Sequence, residues 1–225
     1  PNNTDWVDQM FKDNAKTGSY NLGVSGGGQN TTYALSLGYM NQEGIVGGKD
    51  VSNYERYNFR VNSEWKVKKW LKVGEQMSYI YTKSKGLNVN SGAYNNVLRG
   101  AFGMSPLIPV YGDNDYDSPY LDTKKMDWED VQTAGNPYGL MTTNTNNQTN
   151  AARVSINGYA DAEIIKGLNF RTVLGYEYYS ADYRSFTPIY KFSDNMQHIN
   201  QTNVSHNASH NQQLTGTNTL TYNFD

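Results

Sequence analysis

The sequence predicts an all-β fold, an antiparallel up-and-down transmembrane β-barrel arc of about seven strands. Three observations predict it. Residues alternate apolar and polar with period two over long stretches, as side chains do along a pleated strand. Several of these stretches reach ten residues, the 9 to 11 that a tilted membrane strand needs and about twice an average soluble strand. The connections alternate short and long, as in barrels with short turns on one side of the membrane and long loops on the other.

The strands follow in order. The first is about 20–25, with Tyr20, Leu22 and Val24 on one face. The second is about 31–41, where Tyr33, Leu35, Leu37 and Tyr39 alternate with Thr32, Ala34, Ser36 and Gly38. The third is about 56–65, with Tyr57, Phe59 and Val61 opposite Arg56, Asn58, Arg60 and Asn62. The fourth is about 71–82, with Leu71, Val73, Met77, Tyr79 and Tyr81 on one face, interrupted by Glu75. The fifth, about 152–165, sets Val154, Ile156 and Ile164 opposite Arg153, Asn157 and Glu163. The sixth, about 168–179, sets Leu168, Phe170, Leu174, Tyr176 and Tyr178 opposite Asn169, Arg171 and Glu177. The seventh, about 213–224, sets Leu214, Leu220, Tyr222 and Phe224 opposite four threonines.

Strands one and two join through the Gly-rich turn 26–30, three and four through 66–69, and five and six through Lys166-Gly167. The intervening connections are long: 43–55, about 83–150, and about 182–211. Seven strands close no barrel of even strand number, and open edges are not viable in lipid. The expectation is therefore one arc of a larger barrel, and a chain that begins at Pro1 without an initiator Met or signal peptide agrees with an internal piece.

Composition fits. Only 18% of the 225 residues are charged, yet there are 19 Tyr and 21 Gly, so polarity comes from Asn, Thr, Ser and Gln. Mean hydropathy of −0.75 does not argue against a barrel, because half of each strand faces a wet lumen. The formal net charge of −2 offers no basic footprint for nucleic acid. The absence of cysteine removes disulfides, thiol catalysis and Cys-ligated zinc within these residues. Tyr39, Trp65, Trp70, Tyr79, Tyr81, Tyr176, Tyr178 and Tyr222 read as strand-end aromatics of a membrane girdle. On this reading Tyr33, Leu35, Leu37, Tyr39, Tyr57, Phe59 and Val61 face outer-membrane lipid. The alternative is a soluble or surface-exposed β-rich carbohydrate-binding module, in which the same faces would point into a core.

An ordered series of short motifs runs through the chain. It begins with Asn3-Thr4-Asp5-Trp6, then Tyr20-Asn21-Leu22-Gly23-Val24-Ser25-Gly26-Gly27, Leu37-Gly38-Tyr39 and Gln42-Glu43-Gly44-Ile45. It continues with Arg56-Tyr57-Asn58, Arg60-Val61-Asn62, Lys69-Trp70-Leu71-Lys72-Val73-Gly74 and Lys85-Gly86. Looser pieces follow in Ser105-Pro106, Pro109-Val110-Tyr111, Asn136-Pro137, Lys166-Gly167-Leu168 and Leu220-Thr221-Tyr222-Asn223. In this order the set resembles the SusC/RagA-type TonB-dependent outer-membrane transporters of Bacteroidetes. The resemblance implies a barrel of about 22 strands, the size class of plugged transporters, with residues 1–225 as part of its wall. It also implies a plug that couples to TonB and is absent from these residues, a SusD-like surface lipoprotein as lid, and oligosaccharide or peptide cargo. The turn at Gly26–Gln29 departs from the pattern, having a third glycine and no charged residue. The loop 113–122 is local in character, so no cargo contact carries over to it.

Candidate cargo or lid contacts are the loop aromatics Tyr94, Tyr111, Tyr116, Tyr120 and Trp128, which could stack on cargo or pack the loop against the mouth or lid. Asp113, Asp115 and Asp117 have the opening rhythm of a calcium loop, but the sixth and twelfth positions are Ser118 and Lys124 rather than Gly and Glu. An Asp-rich outer turn is the simpler reading, with weak calcium binding left open. His198, His206 and His210 read as solvated loop histidines rather than ligands. A short helix is expected near 95–104. No nucleophile–base signature is found, so the expected class is a transporter and not an enzyme.

Overall fold

The computed structural model describes residues 3–87, 96–111, 136–143, 146–193, 196–198 and 200–224. Among the described residues, nine strands and three short helices run in chain order: α1 (Trp6–Met10), β1 (Thr17–Gly27), β2 (Thr31–Glu43), β3 (Asn53–Lys68), β4 (Leu71–Lys85), α2 (Val97–Gly103), α3 (Pro137–Thr143), β5 (Asn147–Ile165), β6 (Leu168–Thr187), β7 (Tyr190–Ser193), β8 (Met196–His198) and β9 (Asn203–Tyr222). A 3-10 turn, Gly48–Asp50, lies between β2 and β3. Seven strands form one sheet in the order β1-β2-β3-β4-β5-β6-β9, each antiparallel to its neighbour. β7 and β8 make a separate hairpin. The sheet is an open arc with β1 and β9 at its edges.

The register shows why alternation was a sound guide. Tyr20, Tyr39, Tyr57 and Tyr81 pair rung by rung across β1 to β4. Their rings meet in sequence at 6.4, 5.0 and 6.3 Å between centroids. The next rung on that face is Leu22, Leu37, Phe59, Tyr79, Val154 and Tyr178. The one after is Val24, Leu35, Val61, Met77, Ile156, Tyr176 and Leu214. Cross-strand pairs of this kind stabilise a sheet, yet here the face is bare: Leu22, Leu37 and Leu214 are 71%, 54% and 83% exposed. The opposite face carries Asn58, Arg60, Asn62, Gln76, Ser78, Ser155 and Asn157 at neighbouring positions.

Glu75, which breaks the apolar alternation, pairs with Ser63 and accepts a hydrogen bond of 3.0 Å from its hydroxyl. It lies close to the turn end of β4, where a carboxylate reaches water more easily than at mid-strand.

Three short connections, 28–30, 69–70 and 166–167, lie at one end of the sheet. At the last, Gly167 has φ +83°, and a Cβ there would come within 2.8 Å of the Asn223 carbonyl oxygen, so the turn needs glycine. The long connections leave from the other end, here called the rim.

Several expectations are corrected. β5 begins at Asn147 rather than about 152, β6 runs to Thr187 rather than about 179, and β9 begins at Asn203 rather than about 213. The connection between β4 and β5 is therefore 86–146. Near the rim neither face of these strands is consistently apolar, the few apolar side chains such as Tyr183, Phe186 and Val204 being scattered among polar ones, so period two vanishes from the sequence and only pairing with neighbours reveals the strand. His206 and His210 consequently stand on β9, not in a loop. Four residues apart on a strand they are ~13 Å apart, too far to share a metal. Tyr79, Tyr176 and Tyr178, read as strand-end residues, lie mid-strand. The expected helix near 95–104 is α2, while α1, α3, β7 and β8 had no sequence signal strong enough to predict them.

Candidate cargo and lid surface

The buried core lies at the rim, in the helices and loops rather than between the strands. Each helix has a local cause. Asp5 caps α1, its carboxylate accepting from the amides of Val7 and Asp8 at 3.1 and 3.0 Å. Asn96 caps α2 in the same way, from Leu98 and Arg99 at 3.0 and 3.2 Å. Asn136 stands before Pro137 and accepts from the Gly139 amide at 3.0 Å. Asn and Asp are favoured N-caps, and proline suits the first helical position.

Spacing then decides what is buried. Trp6 and Met10 in α1 and Val97 and Ala101 in α2 are four apart and share a helix face, and all four are buried. Met10, Val51, Val97, Ala101, Leu140 and Met141 form one cluster, and Trp6, Met104, Ile108 and Val110 a second beside it. Tyr138 packs against both.

The polar contacts tie distant segments together. Trp6 donates its indole N–H to the Ser105 carbonyl at 3.0 Å. The Thr4 amide donates to the Pro106 carbonyl at 2.7 Å. Asn136, 1% exposed, donates its side-chain amide to the Val110 carbonyl at 2.8 Å. Asn3–Trp6, Ser105-Pro106, Val110 and Asn136-Pro137, which the sequence presents as separate motifs, thus form one cap at the rim.

Of the five candidate loop aromatics, Tyr111 is described. It is 57% exposed and meets Tyr138 edge-on at 6.1 Å. Tyr94, Tyr116, Tyr120 and Trp128, and the carboxylates Asp113, Asp115 and Asp117, lie outside the described residues. The structure adds Phe102, 72% exposed, whose ring lies 5.8 Å from that of Phe11. Its exposure could have been read from Val97 and Ala101, since they define the buried face of α2 and Phe102 falls off it.

The polar face of the sheet carries its own charge pattern. Arg153 pairs with Glu177 at 3.0 Å, and Arg171 with Asp161 at 3.5 Å. Arg171 also lies over the Tyr159 ring at 4.5 Å. Between these, Arg60 and its neighbours Asn62, Gln76 and Asn157 line a shallow hollow of about 270 Å³. Such a wall can hydrogen-bond a polar occupant without enclosing it. Among the described residues no group of three or more His, Cys, Asp or Glu is placed to hold a metal.

No family model matches the chain. Individual relatives do. The TonB-dependent receptor P3 of Formosa agariphila is 29% identical over 195 residues, 84% of this chain and 18% of the relative. The TonB-dependent receptor SusC of Bacteroides thetaiotaomicron is 30% identical over 152 residues, 66% of this chain and 14% of the relative. The chain thus spans under a fifth of the length of the curated relatives it matches. Among solved structures, the RagAB peptide importer in its closed-closed state superposes with a TM-score of 0.78 at 22% identity, over 99% of this chain and 24% of that one. The open-open state gives 0.64 over 94% and 23%.

Proposed function

Because the chain belongs to the SusC/RagA-type TonB-dependent receptors of the bacterial outer membrane, we propose that its sheet is a wall segment of an active importer. The cap at its rim helps to capture cargo beneath a SusD-like lipoprotein. In this reading Tyr33, Leu35, Leu37, Tyr39, Tyr57, Phe59 and Val61 face lipid. Arg60, Asn62, Gln76 and Asn157 face the lumen, where the plug sits and TonB draws on it. Cargo is an oligosaccharide or a peptide, and Tyr111 and Phe102 offer it, or the lid, an aromatic surface.

The observation that carries the reading is the superposition of nearly the whole chain on one stretch of the RagAB barrel. The asymmetry of the two faces supports the orientation. Arginine or lysine at the bilayer midplane costs about 2–4 kcal/mol, and Arg60 and Arg153 are both on the polar face. The soluble-module alternative finds no support, since a sandwich would cover Leu22, Leu37 and Leu214 with a second sheet, and here they are exposed.

Uptake tests the function. Cells relying on the full-length protein should import labelled oligosaccharides or labelled peptides, and lose that uptake on deletion of the gene for the protein, of its neighbouring lipoprotein, or of TonB. Uptake that survives loss of TonB would overturn the transport reading.

A further inference from the structure

Above the tyrosine rung the apolar face changes character within one step. The next rung toward the rim is Asn41, Glu55, Lys83, Asn150, Asp182 and Ala208. The rung beyond carries Glu43, Asn53 and Lys85 on β2 to β4, and Gln148, Arg184 and His206 on β5 to β9. These side chains point the same way as Leu37 and Phe59 below them, because the period is two. They therefore face away from the lumen, at the height where the apolar band ends.

Most of the acids in this belt are already engaged. Glu43 accepts from Lys12 at 3.0 Å. Glu55 accepts from the Tyr57 hydroxyl at 3.1 Å and from Asn53 at 3.4 Å. Asp182 pairs with Arg184 at 2.8 Å and contacts His206. Three lysines are not engaged. Lys49, on the 3-10 turn that overhangs the rim, and Lys83 and Lys85 on β4 make no hydrogen bond or ion pair with any described residue. They line one hollow of about 380 Å³ together with Glu43, Glu55 and Asp50, and Asp50 is the only one of these carboxylates without a partner. Lys12 balances Glu43, whereas Glu55 accepts only from neutral groups, so the uncompensated charge in the hollow is three cations against two anions, a net positive charge that suits a phosphate monoanion.

We propose that this hollow binds a phosphate on the headgroup of an outer-leaflet glycolipid. The proposal rests on the reading that the apolar face meets lipid. A headgroup is favoured over free phosphate by position. The hollow opens sideways above the tyrosine rung, where lipid headgroups lie, and not into the lumen. Lysines near an anionic membrane surface each contribute about 1 kcal/mol, and their ammonium groups act as point charges on phosphate.

The test uses the full-length protein, purified from its own outer membrane, delipidated, and mixed in detergent with phosphoglycolipid from the same membranes. Native mass spectrometry reads the bound lipid. The Lys83→Gln/Lys85→Gln variant should bind about thirtyfold more weakly, Lys83→Arg/Lys85→Arg should bind as the parent does, and dephosphorylated glycolipid should not bind. Heat-modifiable gel migration checks that both variants are folded. Equal binding by the parent and the Gln variant overturns the proposal. Protection of Lys83 and Lys85 from acetylation by inorganic phosphate as strong as that by glycolipid overturns the lipid source. A spin label at Leu37→Cys separates failure of the site from failure of the underlying reading. Relaxation by oxygen in vesicles places that face in lipid, whereas relaxation by a water-soluble nickel complex alone places it in the lumen and removes the basis for the site.

Discussion

Tyr159 reaches across a strand to Glu64. Its hydroxyl donates to the Glu64 carboxylate at 2.7 Å, although Tyr159 is on β5 and Glu64 on β3, with Gly74 of β4 paired to both. The phenol lies where a Cβ on residue 74 would stand, since the ring carbons of Tyr159 occupy that space. Glycine at 74 is what lets a side chain bridge three strands on the polar face.

Gly74→Ala should therefore displace the ring and break the bond to Glu64. Overpacking costs about 1–3 kcal/mol, and a hydrogen bond to a charged acceptor about 1.5–3. Tyr159→Phe should lose only the second. Unfolding of the full-length protein in detergent and urea measures both, and a Gly74→Ala change no larger than that of Tyr159→Phe would refute the steric argument.

Trp6→Ala should loosen the cap and leave the sheet intact. Trp6 is 3% exposed and donates to Ser105, and truncating such a residue costs about 3–5 kcal/mol. Limited proteolysis should then cut within 86–146 faster, with heat-modifiable migration unchanged. A loss of barrel migration would mean that the cap and the wall fold as one unit.

Asn136→Ala removes both the Val110 contact and the cap on α3. The buried Val110 carbonyl and Gly139 amide are left unpaired, at about 1–3 kcal/mol for each such group. Faster amide exchange at 137–143 than in the parent is the expected signal, and Asn136→Asp, which keeps the cap acceptor, should lie between the two.

Much of this was readable in advance, and the limits have physical causes. Leu35, Leu37 and Val61 revealed their strands because one face was apolar and the other was not. Asn203 to Gln213 concealed theirs because neither face was consistently apolar, so His206 was read as a loop residue. The cap was readable only in pieces. Asp5-Trp6, Ser105-Pro106 and Asn136-Pro137 each stood out as motifs, but their convergence depends on pairing between strands, which no local pattern carries. The candidate aromatics illustrate the same limit, since Tyr111 could be named from the sequence while its contact with Tyr138 could not.

Docking of the N-terminal segment at the rim should depend on pH in one direction. Glu43 ends β2, outside the membrane-spanning stretch, and the hydrogen bond from Lys12 holds its carboxylate below the ordinary value of 4.5. A group with a lowered folded pKa contributes stability above its unfolded value and loses it as pH falls through the folded one. Amide exchange at residues 6–12 should be unaffected between pH 7 and 5 after correction for intrinsic rates, then accelerate below pH 4.5. Lys12→Ala should remove that acceleration; if it persists, another group is responsible.

Lysine scanning across β2 checks the two faces directly. Leu37→Lys should destabilise the full-length protein in lipid by about 2–4 kcal/mol, while Ser36→Lys, one residue away, should cost much less. The reverse order would turn the sheet inside out.

The contact from Trp6 to Ser105 joins residues 99 apart in sequence, and that separation has a kinetic consequence. Between them lie two whole hairpins, β1-β2 and β3-β4, each able to form from near neighbours alone. Loop-closure entropy delays contacts of such long range until the intervening chain is ordered. The Trp6 clasp should therefore be among the last contacts to form. A chain whose β1-β2 or β3-β4 hairpin had slipped in register would present its α1 helix in the wrong place and leave the clasp open, exposed to the proteases that remove misassembled chains.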